Sequence, residues 1–193
     1  MPTSRKKTKP VTTWHIALLR GVNVGGGKKV PMATLREIAE SLGFEEARTL
    51  LNSGNLVYRT SMTPADAERT LHEAILTALQ IDTTIFVRTP EELRRILAEN
   101  PLHEEALAEP SKVLVTVWTR DTTTAHLAPL ADASTEDERF VVGPRAAYLW
   151  FPQGIAASVV YEKAARPLGN RVTARNWNTM QKLLALTDDT AGA

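Results

Sequence analysis

The sequence predicts an α+β fold in which one strand–helix–strand–strand–helix–strand unit occurs twice in tandem. Two observations carry this prediction. Short apolar runs alternate with amphipathic helical patterns, and both halves of the chain show them in the same order. The segments that end the units, 87–93 and 174–180, also match in part. Such βαββαβ units are of ferredoxin-like type, and each is so small that we expect the two to share a core.

In the first unit, apolar and β-branched runs predict strands over 14–19, 48–51, 56–59 and 84–87. Pro31 at a first helical position and Gly43 at the stop delimit the first helix. Thr63 and Thr89 begin capping boxes for a second helix and for a trailing one. The turn 52–55, with the sequence Asn-Ser-Gly-Asn, indicates a hairpin. The side chains expected to face inward from the helices are Leu35, Ile38, Leu42, Leu71, Ile75, Leu79, Leu93, Ile96 and Leu97.

The second unit repeats this order. Its predicted strands are 113–118, 140–142, 146–151 and 171–174, and its predicted helices are 122–130, 155–165 and 176–186. We therefore expect a disordered basic tail over 1–12, the first unit over 13–100, an acidic linker over 101–112, the second unit over 113–187 and a disordered tail over 188–193.

The composition excludes several classes of function. The chain has no cysteine, which rules out disulfides, cysteine nucleophiles and thiolate metal sites. The four histidines lack metal-ligand spacing, so we predict neither a metal nor a cofactor. The basic start has no apolar stretch long enough for a signal peptide, and the run 14–19 is too short to span a membrane. We expect a cytoplasmic protein without membrane contact.

Charge is segregated along the chain, although the net charge is only +1. Residues 1–36 hold eight basic side chains and no acidic ones, and residues 163–187 hold five basic side chains and no acidic ones. The segment between them is strongly acidic. Two acid-free stretches predict a local positive site on an acidic body. The alternative is that acidic residues are missing from these stretches by chance and that the basic residues of the tail are simply solvated.

The loop 20–31, R-G-V-N-V-G-G-G-K-K-V-P, is the strongest functional signal in the sequence. Its four glycines give up backbone entropy and packing, which is typical of loops that need bare backbone N–H groups or positive φ values. Val22 and Lys29 break the Walker A pattern, and the glycine spacing does not fit a dinucleotide-binding fingerprint. The loop therefore predicts a nest for an anion, with a flexible linker as the alternative.

The two units differ at the start of their last helices. The first unit carries the pair Glu91-Glu92 there, and these charges offset the partial positive charge of the helix N-terminus. The second unit carries Asn178-Thr179, with Arg175 just ahead. This helix start therefore lacks an internal anion, as binding of an external one would require. A cap formed by Asn176 is the simpler alternative.

Three motifs together resemble a known bacterial family. They are H-I-A-L-L-R-G-V-N-V-G-G at 15–26, T-L-L-N-S-G-N-L-V at 49–57 and T-A-R-N-W-N-T-M at 173–180. Over about 14–186 the chain is similar to the family described as domain of unknown function 1697. The resemblance implies a small cytosolic α/β protein without an assigned activity. The signature polar positions that it implies fall on Arg20, Gly21, Asn23, Gly25, Ser53, Gly54, Asn55, Arg175, Asn176 and Thr179. Two positions depart from the family pattern, since Asn52 replaces a glutamine and 157–159 lacks a Ser-Lys pair.

We predict that the polar loops form one site for a small anionic ligand, a nucleotide or phosphometabolite, made by the glycine-rich loop and the start of the last helix. The expected ligand-binding residues are Arg20, Gly21, Asn23, Gly25, Gly26, Lys28, Ser53, Asn55, Arg175, Asn176 and Thr179. No nucleophile–base pair is recognisable, so no catalytic residue is assigned.

Two other functions remain open, namely an enzyme acting on a phosphorylated substrate and a protein-interaction scaffold without a ligand. For nucleic acid we expect only weak, non-specific binding, carried by the basic tail, because the rest of the chain is not basic. The sequence leaves the oligomeric state open.

Overall fold

The computed structural model describes residues 10–188 and confirms the α+β class. Within that range it contains two four-stranded antiparallel sheets and seven α-helices. The two tails expected to be disordered lie mostly outside the described residues, which leave out 1–9 and 189–193.

The N-terminal half forms the first sheet, with the strand order β2-β3-β1-β4 and antiparallel pairing throughout. Its elements are β1 (Thr13–Leu19), α1 (Met32–Ser41), β2 (Glu45–Thr49), β3 (Asn55–Thr60), α2 (Pro64–Leu79), β4 (Ile85–Arg88) and α3 (Pro90–Ala98). Leu18 near the end of β1 pairs with Asn55 at the start of β3. The loop 20–31 and the turn before β3 therefore meet at the same edge of the sheet.

The C-terminal half forms the second sheet, with the order β6-β7-β5-β8 and again only antiparallel pairs. Its elements are α4 (His103–Ala108), β5 (Val113–Trp118), α5 (Thr124–Ala131), β6 (Arg139–Val142), β7 (Ala147–Trp150), α6 (Val159–Ala165), β8 (Val172–Asn176) and α7 (Trp177–Asp188), with 3-10 turns at Ile155–Ala157 and Arg166–Arg171.

The ends of several helices follow from local sequence signals. Thr63 accepts a hydrogen bond from the backbone N–H of Asp66 and caps α2, and Thr89 and Glu92 complete a reciprocal capping box at α3. Gly43, with φ +77°, follows α1 in the left-handed region that glycine tolerates best. These signals were sufficient to place the three helices from the sequence.

The two halves share one central core. It combines apolar side chains from one face of each sheet with others from α3, α4 and α7, including Ile16, Phe86, Leu93, Ile96, Leu102, Val115, Tyr148, Trp177, Met180 and Leu183. The opposite face of the first sheet packs on α1 and α2, and that of the second sheet packs on α5 and α6. Helices α3 and α7 therefore lie between the two sheets, which fixes the relative position of the halves.

Several segments differ from the expected boundaries. The strand expected over 48–51 is β2 at Glu45–Thr49, because Leu51 has a φ of +57° and already belongs to the turn. The expected helix 155–165 is divided, because Ser158 adopts an extended conformation and its hydroxyl caps α6 by accepting from the N–H of Tyr161. The acidic linker 101–112 contains α4, whose Ala106 is buried in the central core. Helix α7 continues to Asp188, which forms an ion pair with Arg94 on α3.

Across residues 10–188 no helix combines the length and the apolar character needed to cross a bilayer. The same part of the chain holds no group of three or more His, Asp or Glu side chains arranged to hold a metal ion.

Candidate functional site

A cavity of about 810 Å³ lies between the two halves, where β1 and β8 meet. We call it the Arg20 cavity. The N-terminal half contributes the end of β1 and the turn before β3, and the C-terminal half contributes β8, the start of α7 and the segment 155–166. Its charged lining side chains are Arg20, Arg166 and Arg175, and no carboxylate is among the described lining residues.

Six of the eleven residues expected to bind the ligand line this cavity. They are Arg20, Gly21, Ser53, Arg175, Asn176 and Thr179. Asn23 and Gly26 line a separate cavity of about 410 Å³ beside α1. The remaining three, Gly25, Lys28 and Asn55, are among the lining residues of neither cavity.

Arg175 joins the two halves by using all of its N–H donors inside the protein. Its acceptors are Asn55 Oδ1 at 2.5 Å, Thr173 Oγ1 at 3.0 Å and the carbonyl oxygens of Leu19, Ser53 and Ala174 at 2.8 Å each. Burial lowers the pKa of Arg175 to about 10, so the guanidinium stays protonated at neutral pH. With no donor left for a ligand, Arg175 positions the wall of the cavity and contributes its charge.

Two asparagines that were expected to contact the ligand use their side-chain amides for hydrogen bonds within the protein. The buried Asn55 donates to Leu50 O and to Ser53 Oγ, both at 2.9 Å, and its oxygen accepts from Arg175. Asn23, at φ +57°, donates to Val30 O at 2.8 Å and to Asn52 O at 2.6 Å. These amides hold the turn and the glycine-rich loop in place.

The glycine-rich loop is fixed at two points and open between them. Asn23 fixes one point, and Lys28 fixes the other by donating to the carbonyl oxygen of Asp82. Gly25 and Gly26 between them have φ values of +59° and +76° and are exposed. Val24 at the start of this open part lines the Arg20 cavity.

Arg20 and Arg166 are the cations of the cavity that keep free donors. Arg20 donates from Nε to Val172 O at 3.0 Å and from Nη1 to Asn170 Oδ1 at 3.2 Å. Among the side chains that the structure describes, which are those of 10–188 without 124, 159, 160 and 162, no carboxylate forms an ion pair with Arg20 or Arg166. Burial raises the pKa of the nearby Tyr161 phenol, and the charge of Arg20 acts in the opposite direction.

Asn176 caps α7, as the simpler alternative anticipated. Its Oδ1 accepts from the backbone N–H of Thr179 at 2.9 Å. Thr179 itself is buried at the first turn of α7 and lines the Arg20 cavity.

A further cavity, of about 360 Å³, also lies between the two halves, beside the ends of β4 and β5. We call it the Arg88 cavity. Arg88 on β4 donates to Trp118 O, at the end of β5, and to the carbonyl of its own preceding residue. Arg175 on β8 makes the same two contacts, to Leu19 O at the end of β1 and to its own preceding carbonyl. Each arginine therefore connects the last strand of its half to the first strand of the other half.

The two cavities differ in their carboxylates. Glu92, in the lining of the Arg88 cavity, lies 3.7 Å from Arg120. Glu68, which is not among the lining residues, lies 3.7 Å from Arg88 and 3.8 Å from Arg120. The residue at the position of Glu92, four after the arginine, is Thr179 in the Arg20 cavity. Carboxylates thus lie beside the arginines of the Arg88 cavity, whereas none is among the described lining residues of the Arg20 cavity.

Several lining residues were not identified from the sequence. Arg166 lies in the acid-free stretch 163–187, and that pattern alone could have suggested it. Val24 is an apolar side chain within a polar loop, a local mismatch that could have been recognised. Leu51 was expected at the end of the strand 48–51, whereas β2 ends at Thr49 and Leu51 lies in the turn that follows. Tyr161 carried no signal, because its position depends on how α6 packs on the second sheet.

Comparison with known proteins identifies the family. Residues 12–148 match the family model described as "Protein of unknown function (DUF1697)", so the chain belongs to this family, as the three motifs indicated. The motif at 173–180, which includes Arg175 and Thr179, lies beyond the matched residues.

A solved structure shows the same fold. The conserved bacterial protein SP0830 from Streptococcus pneumoniae is 22% identical to this chain, with a TM-score of 0.73 over 92% of this chain and 99% of the other. No curated protein matches the sequence.

Proposed function

We propose that the Arg20 cavity binds a small anionic ligand, a nucleotide or a phosphorylated metabolite. The observation that carries this proposal is the comparison of the two cavities. Each cavity has an arginine that connects the two halves, with further arginines beside it. Among the described side chains, only the arginines of the Arg88 cavity have carboxylates next to them, namely Glu92 in the lining and Glu68 outside it. A ligand phosphate would supply the missing negative charge in the Arg20 cavity.

Electrostatics favour this occupant. Guanidinium groups bind phosphate through two parallel, charge-assisted hydrogen bonds. Arg20 and Arg166 have donors available for such bonds, and Thr179 adds a hydroxyl. Arg175 acts as a positioning residue that holds the turn at Ser53 against β8.

We also infer that the chain is a tandem duplication of ferredoxin-like units. The order of elements, the order of strands in each sheet and the matched contacts of Arg88 and Arg175 support this interpretation. A duplication explains why each half has an arginine that reaches the first strand of the other half. The two copies could then have diverged, so that carboxylates accompany the arginines in one cavity only. A cytoplasmic location, compatible with the lack of cysteine, remains part of the proposal.

The test is a ligand titration of the full chain at low salt, with inorganic phosphate, mononucleotides and sugar phosphates, followed by NMR chemical shifts. Arg20→Gln and Arg166→Gln should each weaken phosphate binding about tenfold, because each removes one charge-assisted contact. Lys182→Gln is the matched control, since Lys182 is an exposed cation on α7 outside the cavity lining. The proposal is wrong if no anion shifts resonances around the cavity, or if all three variants weaken binding equally.

A further inference from the structure

Exposed apolar side chains gather at the Arg20 cavity. Val24 is 64% exposed, Leu51 is 60% exposed and Ile155 is 43% exposed, and all three line this cavity. They come from the glycine-rich loop, the turn before β3 and the 3-10 turn of the C-terminal half. Three segments distant in sequence thus bring large apolar groups to one rim, where nothing in the described chain covers them.

Leu51 is unfavourable in two ways at this position. Its φ of +57° lies in the left-handed region, which glycine and asparagine adopt far more readily than leucine. Its side chain is also largely exposed to solvent. Asparagine or glycine would relieve both costs, so a leucine at this place favours contact with an apolar group from outside the chain.

The cavity is divided by polarity. Its cations, Arg20 and Arg166, keep free donors, whereas the rim is formed by the apolar group of Val24, Leu51 and Ile155. A volume of about 810 Å³ is in the range of sites for organic molecules and is far larger than a bare phosphate requires. A single inorganic ion would leave the rim exposed to water.

We infer that the ligand of the Arg20 cavity is a phosphate ester with an apolar body. Its phosphate lies at Arg20 and Arg166, and its body covers Val24, Leu51 and Ile155. This inference rests on the proposed function and defines the chemical class of the ligand. It separates phosphate esters of apolar groups from sugar phosphates, whose hydroxyl groups would be left facing an apolar rim.

The experiment compares phenyl phosphate with inorganic phosphate by NMR titration of the full chain. Phenyl phosphate should bind about tenfold more tightly, since burying a ring against the rim removes apolar surface from water. Leu51→Asn and Ile155→Thr should remove most of this gain and leave the affinity for inorganic phosphate unchanged. Asparagine is accepted at positive φ, so Leu51→Asn is expected to fold.

Leu107→Asn serves as the matched control, because Leu107 is 67% exposed on α4 and is outside the cavity lining. Equal affinity for the two probes, or a gain that survives Leu51→Asn and Ile155→Thr, overturns the inference but leaves the proposed anion site standing. If neither probe binds, or if Arg20→Gln and Arg166→Gln leave both affinities unchanged, the proposed function fails as well. Near-UV circular dichroism of each variant verifies that packing is retained.

Discussion

Arg175 shows how a residue with the appearance of a ligand contact can instead join two parts of a protein. Its donors satisfy five oxygen atoms, three of them in the other half of the chain. Arg175→Lys keeps the charge but cannot reproduce the planar set of donors, so several partly buried acceptors lose their partners. We expect a loss of about 3 kcal/mol in the free energy of unfolding, measured in urea. Arg171→Lys is the control, since Arg171 makes an exposed ion pair with Asp121, and a similar loss in both variants would contradict this role.

His15 predicts a pH dependence of stability. It is 1% exposed, stacks on Tyr58, and its Nδ1 has no hydrogen-bond partner within residues 10–188. Burial lowers the pKa of His15 below the ordinary value of 6.5, so the unfolded chain takes up the proton first as the pH falls. The contribution of neutral His15 to the free energy of unfolding is fully present above pH 6.5. It is lost as the pH falls from 6.5 to the lowered pKa of the folded state.

His15→Phe should remove that part of the decrease, because phenylalanine retains the ring and cannot be protonated. The measurement is the free energy of unfolding between about pH 7 and pH 5. The matched control is His103→Gln on the exposed start of α4, which should leave the slope unchanged. A His15→Phe protein with the slope of the unmodified chain would show that another group is responsible.

At the scale of single elements, the turn before β3 depends on Gly54. Gly54 has φ +72°, and a Cβ atom there would lie 2.4 Å from Val22 Cγ2 and 2.8 Å from Leu19 Cβ. Gly54→Ala should therefore destabilise the fold by about 3 kcal/mol, from steric overlap added to backbone strain. Gly26→Ala isolates the strain, since Gly26 has φ +76° with no atom within 4 Å of the added Cβ, and it should cost about 1 kcal/mol. Equal thermal shifts for the two variants would exclude the overlap.

Elements were predictable where the cause is local. The caps at Thr63 and Thr89 and the stop at Gly43 depend on residues within one helical turn, and the structure has them as expected. The division of the helix over 155–165 was missed, although Ser158 is a good capping residue, because the apolar periodicity runs through it. Periodicity reports which side chains face inward but does not report where the backbone turns.

At the scale of the whole molecule, the candidate site could be placed from the sequence but its contacts could not. The motifs and the acid-free stretches indicated the end of β1, the turn before β3 and the start of α7, which do meet at the Arg20 cavity. That Arg175 and Asn55 bind each other depends on the packing of one half on the other. No local pattern encodes a contact between residues so distant in sequence.

The Arg88 cavity provides the last prediction, since it should become an anion site when its own carboxylates are neutralised. Glu68→Gln and Glu92→Gln together remove two negative charges beside Arg88 and Arg120. Both glutamines keep an oxygen for the backbone N–H groups that the glutamates accept from, at Val87 and Thr89, so α3 stays capped. The uncompensated arginines should then take up phosphate from solution.

Phosphate titrations in the Arg20→Gln background separate the two cavities, because binding at the Arg20 cavity is already weakened there. In that background the double glutamine variant should gain phosphate binding, with NMR shifts at Trp118 and Arg120 and an affinity that decreases as salt is added. The comparison of the two cavities predicts this gain, because both are lined by arginines and only the Arg88 cavity has a carboxylate in its lining. Folded protein without new shifts near Arg88 would mean that arginine content and counter-charge do not determine where this fold binds anions.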